Sequence, residues 1–252
     1  MAEWNPKQYL KFEEYRTQPA KDLTNRLLKY KPDTILDIGC GPGNSTAVLK
    51  EAFPKAYIKG IDSSENMIEK AKRTYPNIDF EICDINNIEN KYDLIFSNAC
   101  IQWVPDHYSL IPKLMDNIEE NGVLAIQLPI NKAEPLYRTI DEIVLDPKWN
   151  FNHKKIHKIN ALEYEEYFNI LAKSSNDFEI WITQYLHRME SYRDLLDWVK
   201  GTSLRPYLDE LSEKKRVELE NEILNQVEKV YPLMDNGEII QGFKRLFFIA
   251  RK

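Results

Sequence analysis

The chain has 252 residues, 43 % hydrophobic and 29 % charged, with a formal net charge of −6. Acidic balance argues against a nucleic-acid partner, which leaves a basic footprint, and no apolar run approaches the roughly 20 residues that span a bilayer. The polar start MAEWNPKQYLKFEEYR lacks the apolar core of a secretion signal, so a cytoplasmic chain without membrane attachment is expected, long enough for one large domain or one domain with a sizeable insertion.

From residue 34 strands and helices alternate. TILDI (34–38) is an apolar strand running into glycines, and Ser45 is read as the cap of a helix through Val48, Leu49 and Ala52 that stops at Pro54. YIKGI (57–61) is the second strand, and Ser63 and Ser64 precede a helix with the stripe Met67, Ile68, Ala71, Tyr75. IDFEI (78–82) and YDLIFS (92–97) are the third and fourth strands. A helix carrying Leu110, Ile111, Leu114, Met115 and Ile118 follows, with Asn121-Gly122 read as its end and VLAIQL (123–128) as the fifth strand. This βαβ repetition predicts a parallel sheet with helices on both faces.

The pattern then changes. Residues 131–176 read as helices, with Leu136, Ile140 and Ile143 on one stripe and Tyr164, Tyr167, Phe168 and Leu171 on another. Strand signal returns in FEIWITQYL (178–186). Two helices follow, the second with Leu219, Ile223, Val227 and Val230 on one side, and RLFFIA (245–250) closes the chain. Cys40, Cys83 and Cys100 are widely spaced and odd in number, which suits small core residues better than disulfides or a metal site. No metal is expected.

The loop after the first strand carries Gly39, Gly41 and Gly43, and position 44 is Asn. The dinucleotide fingerprint G-x-G-x-x-G is not met, and Pro42 removes a backbone N–H that a pyrophosphate could use. Asp37 precedes the glycines, where a carboxylate repels phosphate and attracts an ammonium group. Asp62 ends the second strand, placed to accept from ribose hydroxyls, and Asp84 follows the third, placed to accept from a purine amine. A ligand with an amine, a ribose and an adenine but no phosphate is S-adenosylmethionine. The series D-x-G-x-G-x-G, D, D resembles the class I S-adenosylmethionine-dependent methyltransferases. By that resemblance Asp37 and Gly39, with Gly41 of the same loop, sit by the methionine moiety. Asp62 with Ser63 holds the ribose, Asp84 and Ile85 frame the adenine with Met67 nearby, and Asn98 lies by the transferable methyl.

More specific segments narrow the family. WNPKQYLKF (4–12), QWVPDHY (102–108), DWVKGTSLRPYL (197–208) and YPLMDNGEIIQGFKRLFFIAR (231–251) together resemble trans-aconitate 2-methyltransferases over nearly the whole chain. The resemblance implies a doubly wound, mostly parallel, seven-stranded Rossmann-like sheet with an antiparallel last strand. It also implies methyl transfer to a carboxylate of a small polycarboxylate, giving a monomethyl ester and S-adenosylhomocysteine. One methyltransferase domain over 1–252 is expected, with an N-terminal lid (1–30), a cofactor-binding core (31–130), a helical cap (131–176 and 190–232) and closing strands (177–189 and 237–252), acting as a monomer.

A carboxylate is ionised at pH 7, so no general base is required, and no Ser/His/Asp or Cys/His set is evident. Arginines suit a polyacid because guanidinium grips carboxylates bidentately. Arg205, in a loop stiffened by Pro206, and Arg245, opening the last strand, are the candidates, each weighed against an ordinary salt bridge. Arg16 is read as a contact of the cofactor carboxylate or the substrate, with a helix-surface ion pair as the alternative. His187 is a candidate hydrogen-bond partner of a substrate carboxylate or an edge residue, and Tyr9 and Trp103 are candidate pocket walls. His107 reads as a helix start, and His153 and His157 as cap surface. Gln18 stands where the family often has a second arginine, and Ser203 where a glycine is expected. Two other readings stay open: a methyltransferase for a hydroxyl or carbon acceptor, with His187 as base, and a cofactor-binding protein without turnover.

Overall fold

The computed structural model describes residues 12–152 and 159–252. Its first half runs α1 (Glu13–Leu27), β1 (Thr34–Ile38), α2 (Asn44–Ala52), β2 (Tyr57–Asp62), α3 (Glu65–Thr74), β3 (Asp79–Ile82), β4 (Tyr92–Asn98), α4 (His107–Asp116) and β5 (Ile118–Pro129). Its second half runs α5 (Pro135–Val144), α6 (Tyr164–Ser174), β6 (Asp177–Met189), α7 (Tyr192–Lys200), α8 (Arg205–Asp209), α9 (Glu213–Val230) and β7 (Ile239–Arg251). The strands form one seven-stranded sheet in the order β3-β2-β1-β4-β5-β7-β6. β1 to β5 pair in parallel, and β7 runs antiparallel to β5. This is the expected doubly wound α/β sheet, its order reversing at β1 and β4, where such sheets bind ligands.

The chain divides into two compact units. A sheet unit comprises Arg16–Pro129, Ile159–Thr183 and Arg245–Lys252; the described residues of a cap unit are 12–15, 130–152 and 184–244.

In the sheet unit the central strands are apolar on both faces because helices cover both. Ile35, Leu36 and Ile38 of β1, Leu94, Ile95 and Phe96 of β4, and Val123 to Ile126 of β5 are all buried. α4 and α6 are joined by buried His107, whose Nδ1 lies 2.7 Å from the Tyr167 hydroxyl and whose Nε2 lies 2.7 Å from the Ile101 carbonyl. Tyr167 packs on Phe248 of β7 with ring centroids 5.8 Å apart.

Three local expectations need correction. Ser45 does not cap α2: Gly43 does, and the Ser45 hydroxyl is taken by Asp37. The helix before β5 ends at Asp116, and Asn121-Gly122 lies within β5, where Asn121 takes a φ of +64°. α6, expected in the cap, belongs to the sheet unit, because its apolar stripe of Tyr167, Ile170 and Leu171 is buried there. Periodicity reveals an apolar face but not the surface it will cover.

The cap unit has its own core. Leu136 and Ile140 of α5, Leu195 and Trp198 of α7, Leu219 and Ile223 of α9, and Phe243 form one cluster with Phe12. A capping box starts α7: the Ser191 hydroxyl accepts from the Asp194 N–H and the Asp194 carboxylate accepts from the Ser191 N–H.

Candidate active site

The glycine loop hooks the end of β1 onto β2, with the N–H groups of Gly39 and Cys40 donating to the Ile61 carbonyl at 2.8 and 3.0 Å. Gly39 sits at φ +66°, and a β-carbon there would collide with the Cys100 side chain. Gly41, at φ +55°, faces open space: an added β-carbon would meet nothing within 4 Å. The first glycine therefore serves close packing, and the second leaves bare backbone accessible beside a void. Asp62 fixes the loop from β2. Its Oδ2 accepts from the Gly41 N–H at 3.0 Å and its Oδ1 from the Ser64 N–H at 2.8 Å. Ser63 is exposed, and Met67 is half-buried on α3. Asp84 is exposed at the end of β3, where it accepts from the backbone N–H of Asn86 at 2.8 Å, and Ile85 beside it is buried.

Asp37 is fully buried. Its Oδ2 accepts from the hydroxyls of Ser45 at 2.7 Å and Thr46 at 2.6 Å, while its Oδ1 has no partner. Burial pushes its carboxyl up to about 7; the Thr46 and Ser45 hydroxyls pull it down and the charge of Asp62 pushes it further up. Such a group is poised to ionise when a cation arrives.

Farther along the same edge, Asn98 ends β4 with a buried Oδ1 that has no partner. Ala99 follows at φ +54°, a conformation an L-residue adopts at a cost of about 1–3 kcal/mol and one that clusters at functional sites. Gln127, the register partner of Asn98 on β5, is 0 % exposed, and neither its Oε1 nor its Nε2 has a partner. The Oε1 of buried Gln102 is likewise unpartnered. Each unpaired buried polar atom costs about 1–3 kcal/mol. Sequence reasoning missed Gln127 and Gln102. The available signal for Gln127 was one amide inside the apolar run VLAIQL of an internal strand.

The remaining candidates divide between the two units. In the sheet unit, Trp103 closes a short helical turn after β4, Arg16 is half-buried on α1, and Arg245 is 4 % exposed on β7. In the cap unit, His187 is buried in an aromatic stack, 4.4 Å from the Tyr15 ring and 5.6 Å from that of Phe243, with Trp198 edge-on at 4.9 Å. Arg205 is not in a loop: it opens α8 because Pro206 suits the first turn of a helix. Its Nε lies 3.5 Å from the Asp209 carboxylate with the side chain 40 % exposed. Gln18 donates to Asp22 on its own helix at 2.7 Å. Tyr9, His153 and His157 lie outside the described residues. Cys40 is buried, whereas Cys83 and Cys100 are half-buried and, like Cys40, free thiols. Among the described residues no His, Cys, Asp or Glu group is arranged to hold a metal, and no helix is long and apolar enough to cross a membrane.

Residues 29–174 match the family model described as a methyltransferase domain. The fold is shared with a proposed methyltransferase from Bacillus halodurans C-125, at a TM-score of 0.63 and 13 % identity over 93 % of this chain and 99 % of that one. It is shared too with a Haemonchus contortus phosphoethanolamine-type N-methyltransferase crystallised with S-adenosylhomocysteine, at a TM-score of 0.59 and 18 % identity over 93 % of this chain and 53 % of that one. Sheet order, glycine loop and strand-end acids define a class I S-adenosylmethionine-dependent methyltransferase. The chain is also 40 % identical to a trans-aconitate 2-methyltransferase of Enterobacter sp. (strain 638), over 100 % of this chain and 99 % of that protein. One from Escherichia coli O7:K1 is equally similar over the same shares. The chain belongs to the trans-aconitate 2-methyltransferase family.

Proposed function

We propose that this enzyme esterifies one carboxylate of trans-aconitate, or of a close small polycarboxylate, releasing the monomethyl ester and S-adenosylhomocysteine. The observation that carries the reading is the end-to-end likeness to trans-aconitate 2-methyltransferases.

The residues fit the cofactor. The unpartnered Oδ1 of Asp37 suits a cation, Gly41 leaves its backbone open beside a void, and exposed Asp84 can accept from the adenine amine. Asp62 with Ser63 would hold the ribose, Ile85 and Met67 would flank the adenine, and Asn98 would face the methyl group, with Arg16 on the cofactor carboxylate or the substrate. When bound, S-adenosylmethionine supplies an electrophilic methyl group on a sulfonium.

The acceptor oxygen forms the new O–CH3 bond as the S–CH3 bond breaks and its electron pair returns to sulfur. No proton moves, so the chain need only bind, align and exclude water. Alignment of this kind supplies up to about 7–11 kcal/mol. Arg205 and Arg245 would hold carboxylates, with Tyr9 and Trp103 as pocket walls. His187, stacked between Tyr15 and Phe243, would offer a hydrogen bond rather than act as a base.

The test is S-adenosylhomocysteine formation with trans-aconitate beside cis-aconitate, citrate and isocitrate. Turnover led by trans-aconitate is expected. Silence on all four acids, with the cofactor still bound, would refute the substrate assignment.

A further inference from the structure

Four strands of the sheet unit place one residue each on a single face near the carboxyl edge. Asp37 pairs with Phe96, and Asn98, two residues on, shares its face. Asn98 pairs with Gln127, and Gln127 pairs with Phe247, whose face Arg245 shares two residues earlier. Because β7 runs antiparallel to β5, Arg245 lies where β5 ends, opposite Pro129. In the strand order β1-β4-β5-β7 the row therefore reads acid, amide, amide, guanidinium.

The charge order along this row is directional. A cationic group is favoured at Asp37 and an anionic one at Arg245. Gln127 stands between, 0 % exposed, with both amide atoms unpartnered. Its neighbours across the strands are Asn98, whose Oδ1 is unpartnered, and Phe247, which is apolar and stacks on Trp181 with centroids 5.1 Å apart. Neither satisfies the amide. A buried amide without a partner calls for an explanation; Gln241 of β7 has the same unpartnered amide, so it is the place of Gln127 in this row, between Asp37 and Arg245, that points to a ligand. Arg245 is the diagonal neighbour of Gln127, within reach of a second carboxylate of a polyacid whose first carboxylate Gln127 holds.

We infer that Gln127 is a substrate-contacting residue: its Nε2 donates to the carboxylate that accepts the methyl group. This rests on the carboxyl-methylation reading above. A neutral amide is the suitable donor at this place. It holds one carboxylate oxygen without neutralising the group, leaving the other oxygen nucleophilic. A lysine or arginine here would hold the acid more tightly and lower that nucleophilicity.

Two substitutions test this. Gln127→Glu keeps the shape and replaces the donor with an anion; Gln127→Met keeps the volume and removes both polar atoms. Steady-state kinetics on the acid panel, the S-adenosylhomocysteine Kd by calorimetry and the Tm of the ligand-free protein are read for each. Gln127→Met is expected to lose about 10- to 100-fold in kcat/KM, mainly through KM, with the Kd within about threefold of the parent and a Tm that does not fall. Gln127→Glu is expected to lose more, with the loss easing as pH falls and the new carboxyl protonates. Parent-like kcat/KM in both variants overturns the inference and leaves Gln127 as a buried amide solvated by water. Silence of the unsubstituted enzyme on trans-aconitate alone refutes only the substrate reading, and Gln127 is then judged on whichever carboxylate turns over. An enzyme that uses no carboxylate at all overturns both.

Discussion

The carboxyl edge of the sheet unit and the cluster around Trp198 in the cap unit are built from different side chains. At the carboxyl edge of the sheet unit, Asp37, Asn98, Gln102 and Gln127 keep buried oxygen or nitrogen atoms without partners. In the cap unit the buried side chains around Trp198 are aromatic and aliphatic, and His187 is stacked among rings. Unpartnered polar atoms cost stability that a bound ligand would restore; the cluster around Trp198 is the packing of an ordinary core. Substitutions at the edge should therefore damage binding more than folding, and substitutions in the cap core should do the reverse.

The largest expected effect on the binding side is at Gly39. Gly39→Ala forces a β-carbon into the Cys100 side chain at a positive φ, so the S-adenosylhomocysteine Kd should rise by about 100-fold or more, the scale of a few kcal/mol. Calorimetry showing an unchanged Kd would remove the close-packing argument. On the folding side, Trp198→Ala empties a site 3 % exposed that contacts Phe12, His187 and Phe243. It should cost about 3–5 kcal/mol in denaturant unfolding, and a loss below about 1 kcal/mol would mean that the cap core is not a cooperative core.

A smaller effect separates the two halves of the ligand. Arg205→Ala should raise KM for the acid by about tenfold, leaving the S-adenosylhomocysteine Kd unchanged; unaltered KM would leave Arg205 to its ion pair with Asp209. A separate effect is the pH dependence at Asp37. Its folded pKa, about 7, lies above the ordinary carboxylate value. The folded state thus holds a proton that the unfolded chain releases. The stabilisation is complete below about pH 4 and is lost as pH rises toward 7. The Tm of the ligand-free protein should carry this falling component from Asp37, and Asp37→Asn should remove it. S-adenosylmethionine, a cation, prefers the ionised carboxylate, so its affinity should weaken as pH drops below about 7. A Tm profile of Asp37→Asn that matches the parent would contradict the assignment.

The glycine loop and the strand-end acids were legible in the sequence because each is local: TILDIG, GID and CDI each put an acid beside a strand end, and strand order does the rest. What each acid does was less legible. Ser45 looks like a helix cap from its place before an apolar stripe, yet its hydroxyl bonds to Asp37, eight residues earlier, which only the β1–α2 turn makes possible. Gln127 was invisible because period and hydropathy see an apolar strand and average one amide away. Its meaning lies in its register with Asn98, a contact between residues far apart in sequence. α6 shows the same limit: Tyr167 marks an apolar face, and only His107 and Phe248 reveal which surface receives it.

In the proposed reaction a carboxylate accepts the methyl group without a general base. The direct measurement is transfer of isotope-labelled methyl from S-adenosylmethionine to trans-aconitate, followed by mild alkali treatment of the product. An ester releases the label as methanol, and that is the predicted result. Label that survives alkali on the organic product would mean an ether or carbon–carbon linkage and would rule out a carboxylate acceptor.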